Sequence, residues 1–366
     1  MPRIPKTLEG LRLPVIGAPL FIVNTPQMVI AQCKAGIVGS MPSLNARPLE
    51  QLDLWLKEIT EALSVKSAAN APGMPAAPFG INLIVHKTNE RLDADLNLIV
   101  KYKVPIVITS LGARAEVNDA VHSYGGFVLH DVINNAFARK AIAKGADGLV
   151  AVAAGAGGHA GTKSPFALVR EIRQWFDGPL ALAGAISTGD DVLAAQAMGA
   201  DFAYIGSAFV ATAEARVSDA YKQAIVDGNS DEIVYTNLFS GVHGNYLRCS
   251  IINAGLDPDN LPVSHAGNMN WTSARQEQKW NRYAQESKVD AFEGGTPANE
   301  MAVEVAPAAA QAPAPKAWKE IWGAGHGIAS ITKVVTVAEY VERLSREYEA
   351  ARARLLGRET PVAVTA

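Results

Sequence analysis

The apolar positions of this chain fall into short unbroken runs, separated by stretches with helical spacing. Leu13–Ala18, Ile37–Ser40, Gly80–Val85, Pro105–Thr109 and Phe127–His130 are the first five runs. Leu149–Ala153, Leu180–Ala183 and Phe202–Ile205 are the next three. Runs rich in Val, Ile, Leu and Ala, without polar alternation, are the pattern of strands buried on both faces. Between them, Thr25-Pro26 opens a helix that ends at Gly36, with Thr as cap and Pro at the first turn. The stretch Pro48–Leu63 sets Leu49, Leu52, Leu56, Ile59 and Leu63 on one helical face. Further helices are expected over Asn89–Lys103, Ala115–Tyr124, Asn135–Lys144 and about Ala213–Val226. Strict alternation predicts a parallel sheet. Eight strand–helix units predict a (β/α)8 TIM barrel over 1–226, with its working face at the C-terminal ends of the strands. A doubly wound open sheet is the competing arrangement, but it places its glycine-rich loop after the first strand. Here the glycine-rich loops follow strands six, seven and eight.

The alternation stops after Val226. Residues 227–301 are expected to form a smaller, mainly helical second domain, with helices over Asp231–Leu238 and Thr272–Ser287. Residues 302–317, dominated by Ala and Pro, read as a linker without enough apolar content to order itself. Residues 318–356 hold an apolar, glycine-rich closing segment, Ile321–Ile331, and an amphipathic helix, Val337–Leu356. That helix carries Glu339/Arg343 and Glu342/Arg346 at i,i+4 spacing.

A net charge of −3 supplies no electrostatic footprint for nucleic acid or an acidic membrane surface. No apolar run approaches the ~18 residues of a membrane span. The opening Met-Pro-Arg-Ile-Pro-Lys-Thr lacks the apolar stretch of a signal peptide. Cys33 and Cys249 belong to no Cys-x-x-Cys pair, which points to a reduced, cytoplasmic setting without structural zinc.

Chemistry concentrates in three loops. In Gly155-Ala-Gly-Gly-His159-Ala-Gly161 one imidazole stands among glycines that offer it nothing to pack on. It is expected to titrate near neutrality and to take or give a proton. Gly184-Ala185 and Gly206-Ser207 end strands seven and eight without bulky side chains, so their backbone amides can approach a phosphate. Barrel enzymes often bind phosphate there. The bland alternative is that these glycines only permit tight turns. Gly155-x-Gly157-x-x-Ala160 also fits a dinucleotide fingerprint, but five strand–helix units precede it. Asn82, polar inside an apolar strand, either satisfies a backbone gap or faces a ligand ring. His130 and Asp131 end the fifth strand, and His326 lies in Gly-Ala-Gly-His-Gly; each is a candidate cavity residue or an ordinary loop residue. His86, His122, His243 and His265 read as surface or structural. No His-Glu-x-x-His, Gly-x-Ser-x-Gly or Walker loop is present, so hydrolytic metal and serine chemistry have no support.

The segments PVIGAPLF, FGINL around Asn82, AGGHAG around His159, LAGAI–STG around Gly184 and GADFAYIGSAFVAT around Gly206 resemble the FMN-dependent nitronate monooxygenases, formerly 2-nitropropane dioxygenases. The resemblance covers the first 226 residues in order. IWGAGHGIASI resembles the family's closing segment, with His326 where glutamine is usual. The resemblance implies FMN, with its phosphate on the backbone of Gly184, Ala185, Gly206 and Ser207. It implies Ala18, Pro19, Leu20, Asn82 and Gly158 around the flavin. It implies His159 over the flavin face as the base that removes the α-proton of a nitroalkane, with O2 completing the oxidation. Asp131 stands where many members carry lysine, which alters the anion the pocket accepts. Related barrels reduce enoyl thioesters or oxidise acyl-CoA intermediates with the same histidine loop, so an acyl thioester is the alternative substrate. A flavin-free, phosphate-binding isomerase or lyase barrel is the third reading. A homodimer is the candidate assembly.

Overall fold

The computed structural model describes residues 4–64, 75–264 and 319–357. Its strands are β1 (Val15–Gly17), β2 (Gly39–Pro42), β3 (Phe79–Ile84), β4 (Ile106–Ser110), β5 (Phe127–Val132), β6 (Gly148–Val152), β7 (Gly158–His159), β8 (Leu180–Ala183), β9 (Phe202–Ile205), β10 (Ile233–Thr236) and β11 (Gly244–Leu247). Eight of them pair in parallel in the order β1-β9-β8-β6-β5-β4-β3-β2. Ile16 bridges Val38 and brings the two ends of the sheet together. This is the (β/α)8 barrel, not an open doubly wound sheet.

The barrel explains why the strands read as continuous apolar runs. Ile106, Ile108, Phe127 and Leu129 point inward and pack with Ile16, Val38, Val150, Ala181 and Phe202. Val107, Val128 and Val132, their neighbours in sequence, face the helices. Both faces are buried, so no polar alternation is possible. Leu8, on a short 3-10 turn at Lys6–Leu8, joins the inner cluster beside Phe127 and Phe202, which begin their strands. It closes the N-terminal end of the barrel and leaves the other end open.

The helices are α1 (Pro26–Lys34), α2 (Leu49–Ser64), α3 (Leu92–Lys101), α4 (Ala115–His122), α5 (Asn135–Ala143), α6 (Pro165–Arg173), α7 (Gly189–Met198), α8 (Ser207–Val210), α9 (Asp219–Asp227), α10 (Arg248–Asn253) and α11 (Val337–Leu355). On α2 the buried positions Leu52, Leu56 and Ile59 lie on the stripe the spacing predicts. The helix expected over 213–226 is shorter. Thr212 bridges Val335, and the Ala213 amide donates to the Val335 carbonyl at 2.8 Å, so this stretch pairs with the C-terminal segment until Ser218 caps α9.

The helix expected over 231–238 is not one. Ser230–Glu232 is a single 3-10 turn, and Ile233–Thr236 is a strand antiparallel to β11. Ile, Val, Tyr and Thr in succession prefer an extended chain, and that preference wins over apparent helical spacing. β11 in turn pairs with β7, Gly244 opposite His159 and Asn245 opposite Gly158. The described part of 227–264 is therefore fastened to the barrel rim. The helix expected over 272–287 and the linker over 302–317 lie outside the described residues.

Helix α11 buries Val337, Tyr340, Val341 and Leu344 against the barrel helices and starts with a capping box between Thr336 and Glu339. The two expected i,i+4 pairs are replaced by other partners. Glu339 is taken by the cap, Glu342 pairs with Arg12, and Arg343 meets Glu347 at 3.3 Å. Cys33 and Cys249 are free thiols. No helix among the described residues is long and apolar enough to cross a membrane.

Gly189 opens α7 where α11 crosses it, and a methyl group there would run into the backbone of Leu344, Glu347 and Tyr348. Gly189→Ala is expected to lower stability by about 1–3 kcal/mol, as overpacking does. Urea unfolding measures it; an unchanged midpoint would show that α11 does not hold the barrel.

Candidate active site

A cavity of about 910 Å³ opens at the C-terminal ends of the barrel strands. Ala18, Pro19, Leu20, Asn82, Gly158, His159, Gly184, Ala185, Gly206 and Ser207 all line it. The structure thus brings every expected site residue to one place. His130 and Asp131 line it as well. His326 does not: its ring is exposed, and its amide donates to the Gly155 carbonyl at 3.0 Å.

The rim is built by backbone meeting backbone. The Ala185 amide reaches the Gly155 carbonyl at 3.2 Å, and the Gly325 amide donates to Ser207 Oγ at 2.8 Å. Ser187 Oγ donates to the Gly327 carbonyl at 2.7 Å. A Cβ on Gly157 would stand 2.8 Å from the Gly325 nitrogen and 2.9 Å from Ser207 Oγ. Only glycine allows these turns to approach so closely. Ala185 adopts a left-handed φ of 54°, strained for an alanine and held by the Gly155 contact.

The loop after β1 is held from below by two buried asparagines. Asn24 Nδ2 donates to the Ala18 and Ser40 carbonyls at 3.1 and 2.6 Å. Asn45 Nδ2 donates to Leu20 O at 3.0 Å, while its Oδ1 accepts the Ile22 amide at 2.7 Å. Neither was singled out in the sequence, because a side chain that bonds distant backbone leaves no local signature.

His159 is not the unsupported loop imidazole the sequence suggested. It sits on β7, paired with β11, and its Nε2 lies 2.8 Å from Ser240 Oγ. Ser240 Oγ also donates to the Val242 carbonyl at 3.0 Å. Burial pushes the imidazole down to about 4, so it is neutral at cellular pH rather than poised near 7. Ser240 went unrecognised because its segment read as part of a helical domain. His243, read as surface or structural, is exposed at the mouth and stacks on Tyr235 with ring centroids 5.1 Å apart.

On the opposite wall, Asn82 donates to Ile108 O at 2.9 Å and to Ser110 Oγ at 2.7 Å. Asn82 therefore satisfies a backbone gap, the first of the two readings, while it also lines the cavity. Ser110 Oγ donates to Asp131 Oδ2 at 2.6 Å. Burial raises the Asp131 carboxyl to about 6, against the opposing pull of Ser110. His130 Nδ1 lies 2.5 Å from Thr109 Oγ1, and burial pushes this imidazole down to about 4. Arg47, Lys140 and Lys319 also line the cavity.

An imidazole and a carboxyl facing a glycine-walled cavity, at the open end of a closed parallel barrel, define a barrel enzyme acting on small molecules. Residues 6–347 match the family model described as nitronate monooxygenase, and the chain belongs to that family. A nitronate monooxygenase of Paraburkholderia phytofirmans is 27% identical over 297 residues, covering 69% of this chain and 78% of the relative. A (3aS,4S,5R,7aS)-5-hydroxy-7a-methyl-1-oxo-octahydro-1H-indene-4-carboxyl-CoA dehydrogenase of Rhodococcus jostii is 24% identical over 267 residues, 72% of this chain and 68% of the relative. The crystal structure of a nitroalkane oxidase from Streptomyces ansochromogenes shares the fold, with a TM-score of 0.70 and 21% identity. That match covers 94% of this chain and 98% of the other.

The buried groups set a pH dependence. His130 and His159 take up protons near 6.5 when unfolded but only near 4 when folded, so their contribution to stability is lost as pH falls through that window. Asp131 acts in the opposite sense: its folded value near 6 lies above the ordinary 3.8, so it favours folding as pH falls. Two imidazoles against one carboxyl leave a net loss of stability toward acid. His159→Asn is expected to flatten that slope in urea unfolding between about pH 7 and 4.5.

Proposed function

We propose that this chain is an FMN-dependent oxidoreductase that oxidises nitroalkanes or their nitronates with O2, with His159 as the base. The observation that carries this reading is a neutral imidazole facing the same cavity as the turns at Gly184-Ala185 and Gly206-Ser207, whose side chains are small or missing. A cavity of about 910 Å³ suits a cofactor together with a small substrate. The turns suit a phosphate because they bring backbone amides to the cavity with no side chain larger than that of Ser207 at those four positions. A Cβ on Gly206 would already press on Leu20 at 3.2 Å. Ala18, Pro19, Leu20, Asn82 and Gly158 would line the ring.

FMN, when bound, supplies the electron acceptor for the deprotonated substrate. The chain's own part is proton handling and positioning. Ser240 Oγ donates to Val242 O, so it accepts from Nε2–H of His159, and Nδ1 carries the basic lone pair. Burial opposes the imidazolium until an anion forms beside it, which couples proton uptake to formation of the nitronate. The cytoplasm as location, and a homodimer as assembly, belong to this proposal.

A second reading, oxidation or reduction of an acyl thioester, draws on the cations Arg47, Lys140 and Lys319 and on the likeness to the CoA dehydrogenase. An absorbance spectrum of the purified protein tests the flavin; a colourless protein would favour the flavin-free isomerase or lyase. Oxygen uptake with nitroalkane or propionate nitronate supports the first reading. NAD(P)H-driven flavin reduction coupled to a thioester, without that uptake, supports the second. His159→Asn is expected to retain FMN and to lose about 10²–10⁴-fold in turnover of the neutral nitroalkane, with far less loss on the preformed nitronate. Equal loss on both would remove the proton-abstracting role. Gly206→Val is expected to cost FMN occupancy, and full flavin content would show the cradle lies elsewhere.

A further inference from the structure

Among the described residues, Asn24, Gln32, Asp131, Tyr204, Ser264 and Arg343 carry a buried polar side-chain atom without a hydrogen-bond partner. Only Asp131 and Tyr204 also line the cavity. Buried polar atoms are rarely left unpaired, so two that face one cavity call for a ligand that pairs them.

Their setting is rigid. Asp131 belongs to the last inward layer of the barrel, above Leu129 on β5. Its Oδ2 is engaged by Ser110, which is fixed in turn by Asn82, so strands β3, β4 and β5 together determine where Oδ1 points. Tyr204 belongs to the same layer on β9, above Phe202, and two strands, β8 and β6, separate β9 from β5. Its neighbours in that layer, Ala18 on the β1 side and Ala183 on β8, are small and leave the phenol room to extend across the barrel. Burial, and then the nearby Asp131 charge, raise the phenol well above its ordinary value, so Tyr204 stays a hydrogen-bond donor. The two groups feel each other's field, yet neither Tyr204 Oη nor Asp131 Oδ1 has a bond.

We propose that Asp131 Oδ1 and Tyr204 Oη form a paired acceptor and donor that hold a ligand edge with N–H beside C=O, and that this edge is the imide side of the flavin ring. The assignment rests on the flavin reading above. A carboxylate in that place resists added electron density on the ring, so Asp131 holds the bound flavin at a lower potential than a neutral residue would.

The test uses flavin-free protein titrated with FMN by fluorescence quenching, together with the two-electron midpoint potential of the loaded protein. Asp131→Asn is expected to weaken FMN binding about tenfold and Tyr204→Phe about fivefold. In Asp131→Asn the midpoint potential is expected to rise, by about 30 mV for each tenfold that reduced flavin gains over oxidised flavin. Thermal melting of the flavin-free variants checks folding, and Asp131→Asn is expected to melt no lower than the parent because it removes an unpaired buried charge. Unchanged FMN affinity and potential in both variants, with the parent binding FMN, overturn the assignment. An effect confined to KM for a nitronate or thioester also overturns it and gives the pair to the substrate. A parent protein that takes up no FMN overturns the flavin reading itself.

Discussion

Backbone packed directly on backbone at the barrel rim is the constraint from which the rest of the site follows. The turns after β6, β8 and β9 meet the segment Gly323–Gly327 at distances that exclude any Cβ at Gly157. The bonds between them are made by amides, carbonyls and two serine hydroxyls. A wall made this way is rigid without being bulky, so it leaves open the space that side chains would otherwise fill. It also ties the C-terminal segment into the barrel. Tyr340 and Arg343 on α11 both donate to the Ser187 carbonyl, at 3.0 and 3.1 Å, and so brace the turn after β8 from behind.

The opposite wall obeys a different rule. There the polar groups are side chains, and burial decides their charge. His130 on that wall, and His159 facing it from the loop after β6, are both pushed toward the neutral form while the Asp131 carboxyl is pushed toward the acid. One low-dielectric cavity acts on all three in the direction that removes charge. The β10–β11 hairpin contributes to this by covering His159: Tyr235 donates to the Ala160 carbonyl at 3.0 Å, and Asn245 Nδ2 donates to Ala156 O at 2.7 Å. The strands β10 and β11 are therefore part of the site's electrostatics.

The barrel was legible because double-sided burial leaves a plain signature, and Leu180–Ala183 and Phe202–Ile205 match their strands residue for residue. The glycine turns were legible for a related reason, since close backbone approach restricts the residue type at a fixed place in the chain. What escaped were partners joined across long stretches of sequence. Ser240 lies 81 residues from His159, and the Asn45–Leu20 bond spans 25. No local pattern encodes either. The misread 231–238 segment shows the converse: helical spacing over so few positions is a weak signal beside four strand-forming residues paired to a partner strand. The expected ion pairs on α11 failed because other donors, Arg12 from far in the chain and the Thr336 amide at the helix cap, take the same carboxylates.

The resting charge of His159 also bears on which reaction suits the cavity. A general acid must hold its proton before the substrate needs it, and an imidazole pushed down to about 4 seldom does at neutral pH. A general base must be unprotonated, which is the state burial favours here. The product of deprotonation is an anion, and an anion beside the ring is what stabilises the new imidazolium in a low-dielectric site. Chemistry that begins by removing a proton next to a nitro or thioester group therefore works with this environment. The electrostatics thus suit nitroalkane oxidation or α-deprotonation of an acyl thioester, both of which open on a neutral imidazole.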